Sequence, residues 1–307
     1  MNQRLPIRTA LLGFALADAL GVPYEFLDRN EMDETPATGI TGYGTHNQRP
    51  GTWSDDTSMA LCVIENLIED GDDANLSEKF LRWYEKDHYT AHGVLFDIGI
   101  QTRKSLYDIR QNGFQRRNSG FDSQDAGNGA LMRVFPYAFL PNLEEAIPLM
   151  LHDIRITHPS SISTECCLFF VHFLRELQDG SSKEQALQHT VAFMQERTVF
   201  EAFGHDQYPI KFMSRLTDSM FASTDRKEIF SSGFAVHTLE ASIWCFLNSS
   251  SYKEAVLTAV NLGNDTDTIA AISGVLAAVH YGEVSIPKEW MEQLQAKTLL
   301  EEIVLEW

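Results

Sequence analysis

Apolar residues recur at the three-to-four-residue spacing of an α-helix along most of this chain. The first such segment covers residues 5–20 and ends at Gly21-Val22-Pro23. Further segments with helical spacing cover residues 56–69, 76–86, 94–112, 160–178, 182–196, 238–247, 252–261 and 287–295. No segment sustains the period-two alternation of a strand, so the pattern predicts an all-α fold. No break in composition marks a linker, and we expect residues 1–307 to form one compact multi-helix domain.

Three segments lack a sustained period and predict loops. Residues 28–53 are rich in Gly, Pro, Thr and Asn, residues 113–127 are polar and rich in Gly, Asn and Ser, and residues 197–231 have a mixed pattern. Loops of this length often carry function.

Composition and charge exclude several classes of partner. The 307 residues carry a net charge of −19, from 43 acids against 24 Lys and Arg, without a basic block that could follow a phosphate backbone. We therefore expect no nucleic-acid partner and no anionic membrane surface. No apolar run approaches the ~20 residues that span a bilayer. The four cysteines form no CxxC pair, which indicates core thiols in a reducing compartment, and we expect a cytoplasmic protein.

Two polar stretches precede apolar helices and concentrate acids and hydroxyls at the helix start. They are Gly51-Thr52-Trp53-Ser54-Asp55-Asp56-Thr57 and Gly263-Asn264-Asp265-Thr266-Asp267-Thr268. Such residues are ordinary N-caps, because their oxygens accept the free backbone N–H groups of the first turn. One cap needs only one oxygen, however, and each stretch offers two carboxylates.

The excess of acids suggests a second role. If both helices are buried, Asp55, Asp56, Asp265 and Asp267 come together and repel one another. Two divalent cations balance four carboxylates by count, and oxygen ligands suit Mg²⁺ or Mn²⁺. The hypothesis is a two-metal site in which the capping oxygens are also the metal ligands.

Other residues have a structural and a functional reading. Glu25 lies between Tyr24 and Phe26, and is either solvated or a general acid whose pKa its apolar neighbours raise. Asp18, within an apolar helix, either caps a neighbouring turn or faces a polar site. His88 and His92 have the spacing of a metal-ligand pair, but without a third ligand they favour an ordinary surface or core pair.

Three turns could approach a ligand. The glycines of Gly127-Asn128-Gly129 allow close backbone approach to a phosphate, although a tight turn capped by the Asn explains them equally well. Thr157-His158-Pro159 ends a helix, and a buried capping His is the simpler interpretation. Ser231-Ser232-Gly233-Phe234 forms a turn that could lie over a ligand.

Taken in order, these motifs closely resemble the ADP-ribosylglycohydrolase family, relatives of the dinitrogenase reductase-activating glycohydrolase. The resemblance covers nearly the whole chain. It is carried by Gly13 to Glu25, Gly51 to Thr57, Gly127 to Arg133, Thr157-His158-Pro159, Thr238-Leu239-Glu240-Ala241 and Asn261 to Thr268.

The resemblance implies a compact all-α fold with two Mg²⁺ ions, or Mn²⁺ in some members, in a central cleft. The metal ligands it implies are Ser54, Asp55, Asp56, Asp265, Asp267 and Thr268. It also implies that Glu25 assists cleavage beside the metal-bound Asp55 and Asp56. The substrate contacts it implies are Gly127, Asn128 and Gly129 on the pyrophosphate or adenosine half, with His158, Ser232, Gly233 and Phe234 near the substrate. Two departures are Asn264, where many relatives have Gly, and Phe234, where many have Tyr.

The implied activity is metal-dependent hydrolysis of the glycosidic bond between ADP-ribose and a modified side chain, arginine by family analogy, or a small conjugate. The alternatives are a non-catalytic ADP-ribose-binding or crystallin-like member, and a two-metal phosphoesterase that acts on the pyrophosphate. Glu25 and all six candidate ligands are retained, which argues against a non-catalytic protein. The sequence does not set the oligomeric state, and a monomer is the simplest expectation.

Overall fold

The computed structural model of the chain describes residues 4–115, 126–196 and 214–307. These residues contain thirteen α-helices. They are α1 (Arg4–Gly21), α2 (Arg29–Glu34), α3 (Asp55–Ile68), α4 (Asp73–Lys86), α5 (Ile100–Asn112), α6 (Leu143–Thr157), α7 (Ser161–Gln178), α8 (Lys183–Gln195), α9 (Ala235–Leu247), α10 (Tyr252–Val260), α11 (Thr266–Tyr281), α12 (Lys288–Met291) and α13 (Lys297–Ile303).

Within these three ranges the structure has no β-strand, only two isolated bridges, Tyr43 with Gln48 and Gly127 with Phe234. The predicted all-α class is therefore confirmed. None of the helices described is long and apolar enough to cross a membrane.

Most of the longer helices begin at a residue whose side-chain oxygen accepts a backbone N–H of the first turn. This geometry satisfies one of the donors that every helix start leaves free. The capping residues are Ser54 for α3, Asp72 for α4, Asn142 for α6, Ser160 for α7, Ser182 for α8 and Ser251 for α10.

Helices α1 and α11 form the closest packed pair, and glycines make this approach possible. A Cβ on Gly13 would lie 2.3 Å from the Cβ of Ala278, and one on Gly274 would lie 2.4 Å from the Cβ of Ala17. At the end of α1, a Cβ on Gly21 would lie 2.3 Å from the Cα of Asp267. The close contact therefore sets the chain that leaves α1 directly against the acidic start of α11.

The helical predictions differ from the structure at several places. The helix predicted at 287–295 covers only Lys288–Met291, and Lys297–Ile303 forms a further helix. The predicted loop 28–53 contains α2 and a short 3-10 helix, Gly44–His46. The helix predicted at 94–112 begins only at Ile100, because residues 94–99 form an irregular segment with Asp97 in the left-handed region at φ 54°. The Gly127 turn leads into 3-10 helices rather than an α-helix. Much of the segment 197–231 lies outside the described residues.

The four cysteines are free and buried, as predicted. Burial raises the pKa of all four thiols, so they remain protonated at neutral pH. Their role is packing in the core of the helical domain.

Candidate active site

A cavity of about 630 Å³ opens where the N-termini of α3, α5 and α11 meet the Gly127 turn. Most of the residues that the sequence nominated line it. These are Glu25, Asp55, Asp56, Gly127, Asn128, Gly129, His158, Gly233, Asp265, Asp267 and Thr268. Two stretches about two hundred residues apart in the chain therefore face one space, as their composition predicted.

Three nominated residues lie just behind the cavity wall rather than in it. Ser54 is buried at the cap of α3. The hydroxyl of Ser232 lies 2.7 Å from Nδ1 of His237. Phe234 packs against the core at the cap of α9, and its ring makes an edge-to-face contact with the ring of His237. A substrate contact by Ser232 or Phe234 stays a prediction.

His88 and His92 have different partners. Nε2 of His92 lies 2.7 Å from the hydroxyl of Thr52, whereas His88 lies 3.9 Å from the carboxylate of Glu65. Neither belongs to a group of potential metal ligands in the described part of the chain.

Asp18 holds the first acidic stretch in place. Its carboxylate accepts the N–H of Ser54 at 2.9 Å, the N–H of Thr57 at 3.1 Å and the hydroxyl of Thr57 at 2.5 Å. Burial raises the pKa of Asp18 to about 6, and these hydrogen bonds oppose the rise. The side chain therefore caps a neighbouring helix, and α1 orients the start of α3 through it.

The cap of α3 is a hydroxyl and not one of the cluster carboxylates, which corrects the expectation for Asp55 and Asp56. In α3 the cap is the hydroxyl of Ser54, which accepts the N–H of Asp56 at 3.2 Å. In α11 the side chain of Asp265 stands at the cap position but accepts no helical N–H. Oδ1 of Asp267 accepts the N–H of Thr268 at 2.9 Å. The carboxylates of Asp55, Asp56 and Asp265 accept no N–H of their own helix start and stay available to the cavity.

The second acidic stretch is joined to the first and to the Gly127 turn. The hydroxyl of Thr268 lies 3.3 Å from Oδ1 of Asp56. The amide of Asn128 donates to Oδ2 of Asp265 at 2.9 Å and to the hydroxyl of Thr238 at 3.0 Å. Asn128 is therefore a support for an acidic side chain, a role that its sequence context did not indicate.

The acids destabilise one another's charged forms. Burial raises the pKa of Asp55, Asp56, Asp265 and Asp267, and neighbouring carboxylates add to each rise. Burial likewise raises the pKa of Glu25 to about 11, with further contributions from Asp97, Asp265, Asp55 and Asp56. Such a cluster is stable as carboxylates only when cations neutralise it.

The arrangement fits divalent metal ions. Oδ2 of Asp56 and Oδ1 of Asp265 are buried and have no hydrogen-bond partner among the residues described. Carboxylate oxygens of Asp18, Asp56 and Asp267 lie within 4.8 Å of one another. Unpartnered carboxylate oxygens beside a threonine hydroxyl form the ligand set of hard cations. Because Asp18 already accepts three hydrogen bonds, the other acids are the better ligands.

Glu25 reaches the cavity through a backbone clamp. The N–H of Phe26 donates to the carbonyl of Asn264, and the N–H of Asn264 donates to the carbonyl of Leu27, both at 2.7 Å. Phe26 and Asn264 have positive φ angles of 69° and 64°. Asn tolerates this region better than most residues, so Asn264 can adopt it without being Gly.

Asp97 and His46 belong to the site but were not predicted. Ligand atoms of Glu25, His46 and Asp97 lie within 4.8 Å of one another. His46 ends the short 3-10 helix Gly44–His46, within a predicted loop. Asp97 lies in an irregular segment, where the pattern predicted at 94–112 placed it inside a helix. The available signal was Gly99, two residues after Asp97, which stands at the cap of α5.

The start of α5 offers donors for an anion. Gly99 caps this helix without a side-chain hydrogen bond, and the hydroxyl of Thr102 is buried in the cavity wall with no partner among the described residues. Lys104 adds a positive charge to the lining. Free N–H groups at a helix start bind phosphate well.

His158 presents a neutral N–H to the cavity. Nη1 of Arg133, a donor only, lies 2.8 Å from the hydroxyl of Thr157, and that hydroxyl lies 2.8 Å from Nδ1 of His158. Because the hydroxyl already accepts from Arg133, we assign its proton to the Nδ1 contact and the ring proton to Nε2. Burial lowers the pKa of His158 to about 3, so the ring is uncharged at neutral pH.

Gly129 is required by this histidine. A Cβ at residue 129 would lie 2.6 Å from Cε1 of His158. The carbonyl of Gly129 accepts a hydrogen bond from Nη1 of Arg133 at 2.9 Å. The Gly127 bridge to Phe234 holds the other end of the turn. The turn and the histidine thus form one rigid wall.

Comparison with known proteins identifies relatives along nearly the whole chain. The ADP-ribosylglycohydrolase family model matches residues 2–306. The chain is 33% identical over 289 residues to the ADP-ribosylarginine hydrolase Tri1 of Serratia proteamaculans, covering 93% of this chain and 74% of that protein. It is 27% identical over 294 residues to the ADP-ribosyl-dinitrogen reductase glycohydrolase of Rhodospirillum rubrum, covering 94% and 90% of the two chains. A solved structure described as an ADP-ribosylglycohydrolase-related protein complex superposes with a TM-score of 0.81 at 30% identity, covering 99% of this chain and 97% of the other. The chain belongs to the ADP-ribosylglycohydrolase family.

Proposed function

We propose that the protein hydrolyses the glycosidic bond between ADP-ribose and an arginine side chain with the help of two divalent cations. The observation that carries the proposal is the set of buried, partly unpartnered carboxylates that two helix starts deliver to one cavity beside Glu25. Such acids are costly to the fold unless cations use them.

The ions would be held by Ser54, Asp55, Asp56, Asp265, Asp267 and Thr268, and oxygen ligands favour Mg²⁺ or Mn²⁺. When bound, the cations supply positive charge that orients ribose hydroxyls and a water at the anomeric carbon. Asp18 accepts the backbone N–H of Ser54, and Asn128 donates to the carboxylate of Asp265. These hydrogen bonds keep the acids in position.

Glu25 is the proposed proton carrier. Hydrolysis adds a water oxygen to the anomeric carbon, breaks the bond from that carbon to the guanidine nitrogen, and returns a proton to the nitrogen. Because its pKa is raised, the buried carboxyl of Glu25 holds a proton that it can give to the leaving nitrogen, and it regains one from the attacking water. Glu25 is 6% exposed, so bulk water does not compete for this transfer.

The diphosphate end is proposed to lie along the start of α5 and the Gly127 turn. Thr102, Lys104 and the Nε2–H of His158 provide hydrogen bonds or charge on this side of the cavity. These groups offer hydrogen-bond donors or positive charge, whereas the acids offer negative charge. One ligand with an anionic end and a cationic end therefore fits the cavity.

The arginine linkage is supported by the opposite side. Phe26 lines the cavity with 67% of its surface exposed, next to the carboxylates of Glu25 and Asp97. Planar guanidinium groups stack on aromatic rings and pair with carboxylates, whereas a serine linkage would use neither feature. The name of the Serratia relative, an ADP-ribosylarginine hydrolase, agrees with this preference.

One assay separates the candidate functions. The protein is incubated with ADP-ribosyl-arginine, ADP-ribosyl-serine and O-acetyl-ADP-ribose in Mg²⁺, Mn²⁺ or EDTA, and the products are identified. We expect free ADP-ribose from the arginine conjugate only when metal is present. AMP would indicate a phosphoesterase, and tight ADP-ribose binding without turnover would indicate a non-catalytic member.

We also infer that residues 1–307 act as one domain, because α1 near the beginning packs closely on α11 near the end. Four buried free thiols support a reducing compartment such as the cytoplasm.

A further inference from the structure

His46 stands directly against the proposed proton carrier. Its Nε2 lies within hydrogen-bond distance of Oε2 of Glu25. The side chains are largely buried, with 14% and 8% of their surfaces exposed. No other group in the described residues donates to this carboxylate. His46 is thus its single fixed partner there.

A partner is needed because of what surrounds Glu25. Asp97, Asp265, Asp55 and Asp56 all act on its charge from the cavity side. These charges disfavour the ionised form of Glu25, and a hydrogen bond from a fixed donor favours it. His46 is not one of the proposed metal ligands, so it can supply that bond without competing for the ions.

The segment that carries His46 is tied to the same residue twice. The hydroxyl of Thr45 donates to the carbonyl oxygen of Glu25 at 2.6 Å, next to the His46 contact with the side chain. Gly44 has φ 54°, and a Cβ there would lie 1.9 Å from the carbonyl oxygen of Pro23, so only glycine fits. Gln48 donates to the carbonyl of His46 at 3.1 Å. The backbone therefore holds the imidazole at a set distance from the carboxyl.

The imidazole ring is also confined laterally. Its centroid lies 5.9 Å from that of Phe26 and 5.5 Å from that of Phe96. Asp97 contributes a carboxylate within 4.8 Å of the histidine nitrogen. The ring is held between two aromatic rings and two acids, which leaves it little freedom to turn away.

We propose that His46 is a positioning residue that holds the carboxyl of Glu25 in its reactive orientation through the Nε2 to Oε2 hydrogen bond. The inference rests on the proposed hydrolysis. A competing role for the same atoms is ligation of a further metal ion by Glu25, His46 and Asp97, and the experiment below decides between the two.

The test compares His46→Ala, His46→Gln, Glu25→Gln and the double variant His46→Ala/Glu25→Gln on ADP-ribosyl-arginine. His189→Gln is the matched control, because His189 makes a similar contact with Glu176 at 2.7 Å on the surface. Each variant is assayed for kcat and KM, and its bound metal is counted by elemental analysis with Mn²⁺ as the probe.

We expect His46→Ala to lower kcat about 10–100-fold, the usual effect of removing an orienting partner, with KM and metal content unchanged. Glutamine can still donate to the carboxyl, so His46→Gln should recover much of the rate. The double variant should be no slower than Glu25→Gln, because the histidine acts only through the glutamate.

Three results would overturn the inference: an undiminished kcat in His46→Ala, a further loss in the double variant, or a loss of bound metal in His46→Ala, which would make His46 a ligand. Wild-type protein and His189→Gln report on the hydrolase activity itself. Turnover in both with no effect at His46 contradicts only the positioning role, whereas no turnover in either contradicts the proposed function.

A second measurement does not depend on turnover. The ring nitrogens of His46, assigned by their loss in His46→Gln, are observed by long-range ¹H–¹⁵N NMR in wild type and Glu25→Gln. We expect the Nε2 resonance to move when Glu25 is replaced and to stay in place in His189→Gln. An unmoved resonance in Glu25→Gln shows that the two side chains are not paired in solution.

Discussion

The hydroxyl of Thr268 lies 3.3 Å from Oδ1 of Asp56, although the two residues are 212 positions apart in the chain. This contact joins the start of α11 to the start of α3. Both helix starts face the same space, and the partial positive charge of a helix start favours carboxylates there. Helix geometry thus assembles the acids, and their mutual repulsion remains for metal ions to relieve.

Because the acids repel one another, we expect Asp56→Asn to stabilise the metal-free protein but to weaken the metal-bound one. Asp56→Asn removes a buried, 1% exposed acid whose Oδ2 has no partner among the described residues. We expect the metal-free protein to gain at least about 1 kcal/mol of stability, since an unpaired buried charge costs that much or more. The variant should lose Mn²⁺ binding and hydrolysis together. Thermal unfolding in EDTA and in Mn²⁺ measures both effects.

Glu292→Gln is the control for Asp56→Asn, because it removes one negative charge from the exposed surface. It should change neither metal binding nor the difference between the two unfolding curves. Two metal ions still bound to Asp56→Asn would exclude Asp56 as an essential ligand.

Glu25→Gln should separate chemistry from metal binding. Glutamine keeps the shape of the side chain but cannot carry the proton, so we expect kcat to fall about 10²–10⁴-fold, the usual contribution of a general acid or base. Two ions should remain bound, because the proposed ligands lie on α3 and α11. Isothermal titration with Mn²⁺ beside steady-state kinetics checks this, and undiminished turnover would remove Glu25 from the mechanism.

The sequence predicted most of the site because its information there is local. Ser54 and the acids of both motifs begin helices, and helix starts have a recognisable chemistry over a few residues. The same reasoning was wrong on which oxygens cap. Ser54 and Asp18 satisfy the start of α3, and Asp18 comes from another helix, so no local pattern could assign it.

Asp97 and His46 could not be predicted for a related reason. Each lies in a segment whose backbone is set by tertiary contacts: Asp97 takes φ 54°, and the Gly44–His46 turn fits against Pro23. Periodicity carries no signal for such segments. The hydrogen bond from Asn128 to Asp265 is also a long-range contact, because the two residues are 137 positions apart. It is visible only in the folded chain.

Thr157→Val tests the tautomer of His158. The substitution removes the hydroxyl that donates to Nδ1, so the proton is no longer directed to Nε2. Loss of one oriented hydrogen bond is worth about 0.5–1.5 kcal/mol, and we expect KM to rise about 2–10-fold with little change in kcat. Thr190→Val is the matched control, because Thr190 lies 2.9 Å from Nδ1 of His172 away from the cavity. Equal changes in KM for the two variants would contradict the assignment.

The close packing of α1 on α11 predicts a reciprocal pair of substitutions. Gly13→Ala places a Cβ 2.3 Å from that of Ala278, and we expect a loss of about 1–3 kcal/mol in the free energy of unfolding. Ala278→Gly, introduced into the Gly13→Ala variant, removes the colliding atom and should restore most of the loss. Urea unfolding measures both steps. If the second substitution only adds to the damage, the helices do not meet through these two atoms.

Glu165 on α7 predicts how stability varies with pH. The side chain is 2% exposed, neither oxygen has a hydrogen-bond partner among the described residues, and burial raises its pKa from 4.5 to about 9. Below pH 4.5 both the folded and the unfolded chain carry the proton, and the group has no effect. Between pH 4.5 and 9 the folded state keeps the proton while the unfolded state releases it, so stability falls by up to about 1.4 kcal/mol per pH unit.

Glu165→Gln removes this pH dependence, so the stability of the variant relative to wild type should be greater at pH 8 than at pH 5. Urea unfolding at the two pH values measures the difference, Glu165→Leu should reproduce it, and parallel pH dependences for wild type and both variants would show that Glu165 is ionised in the folded protein.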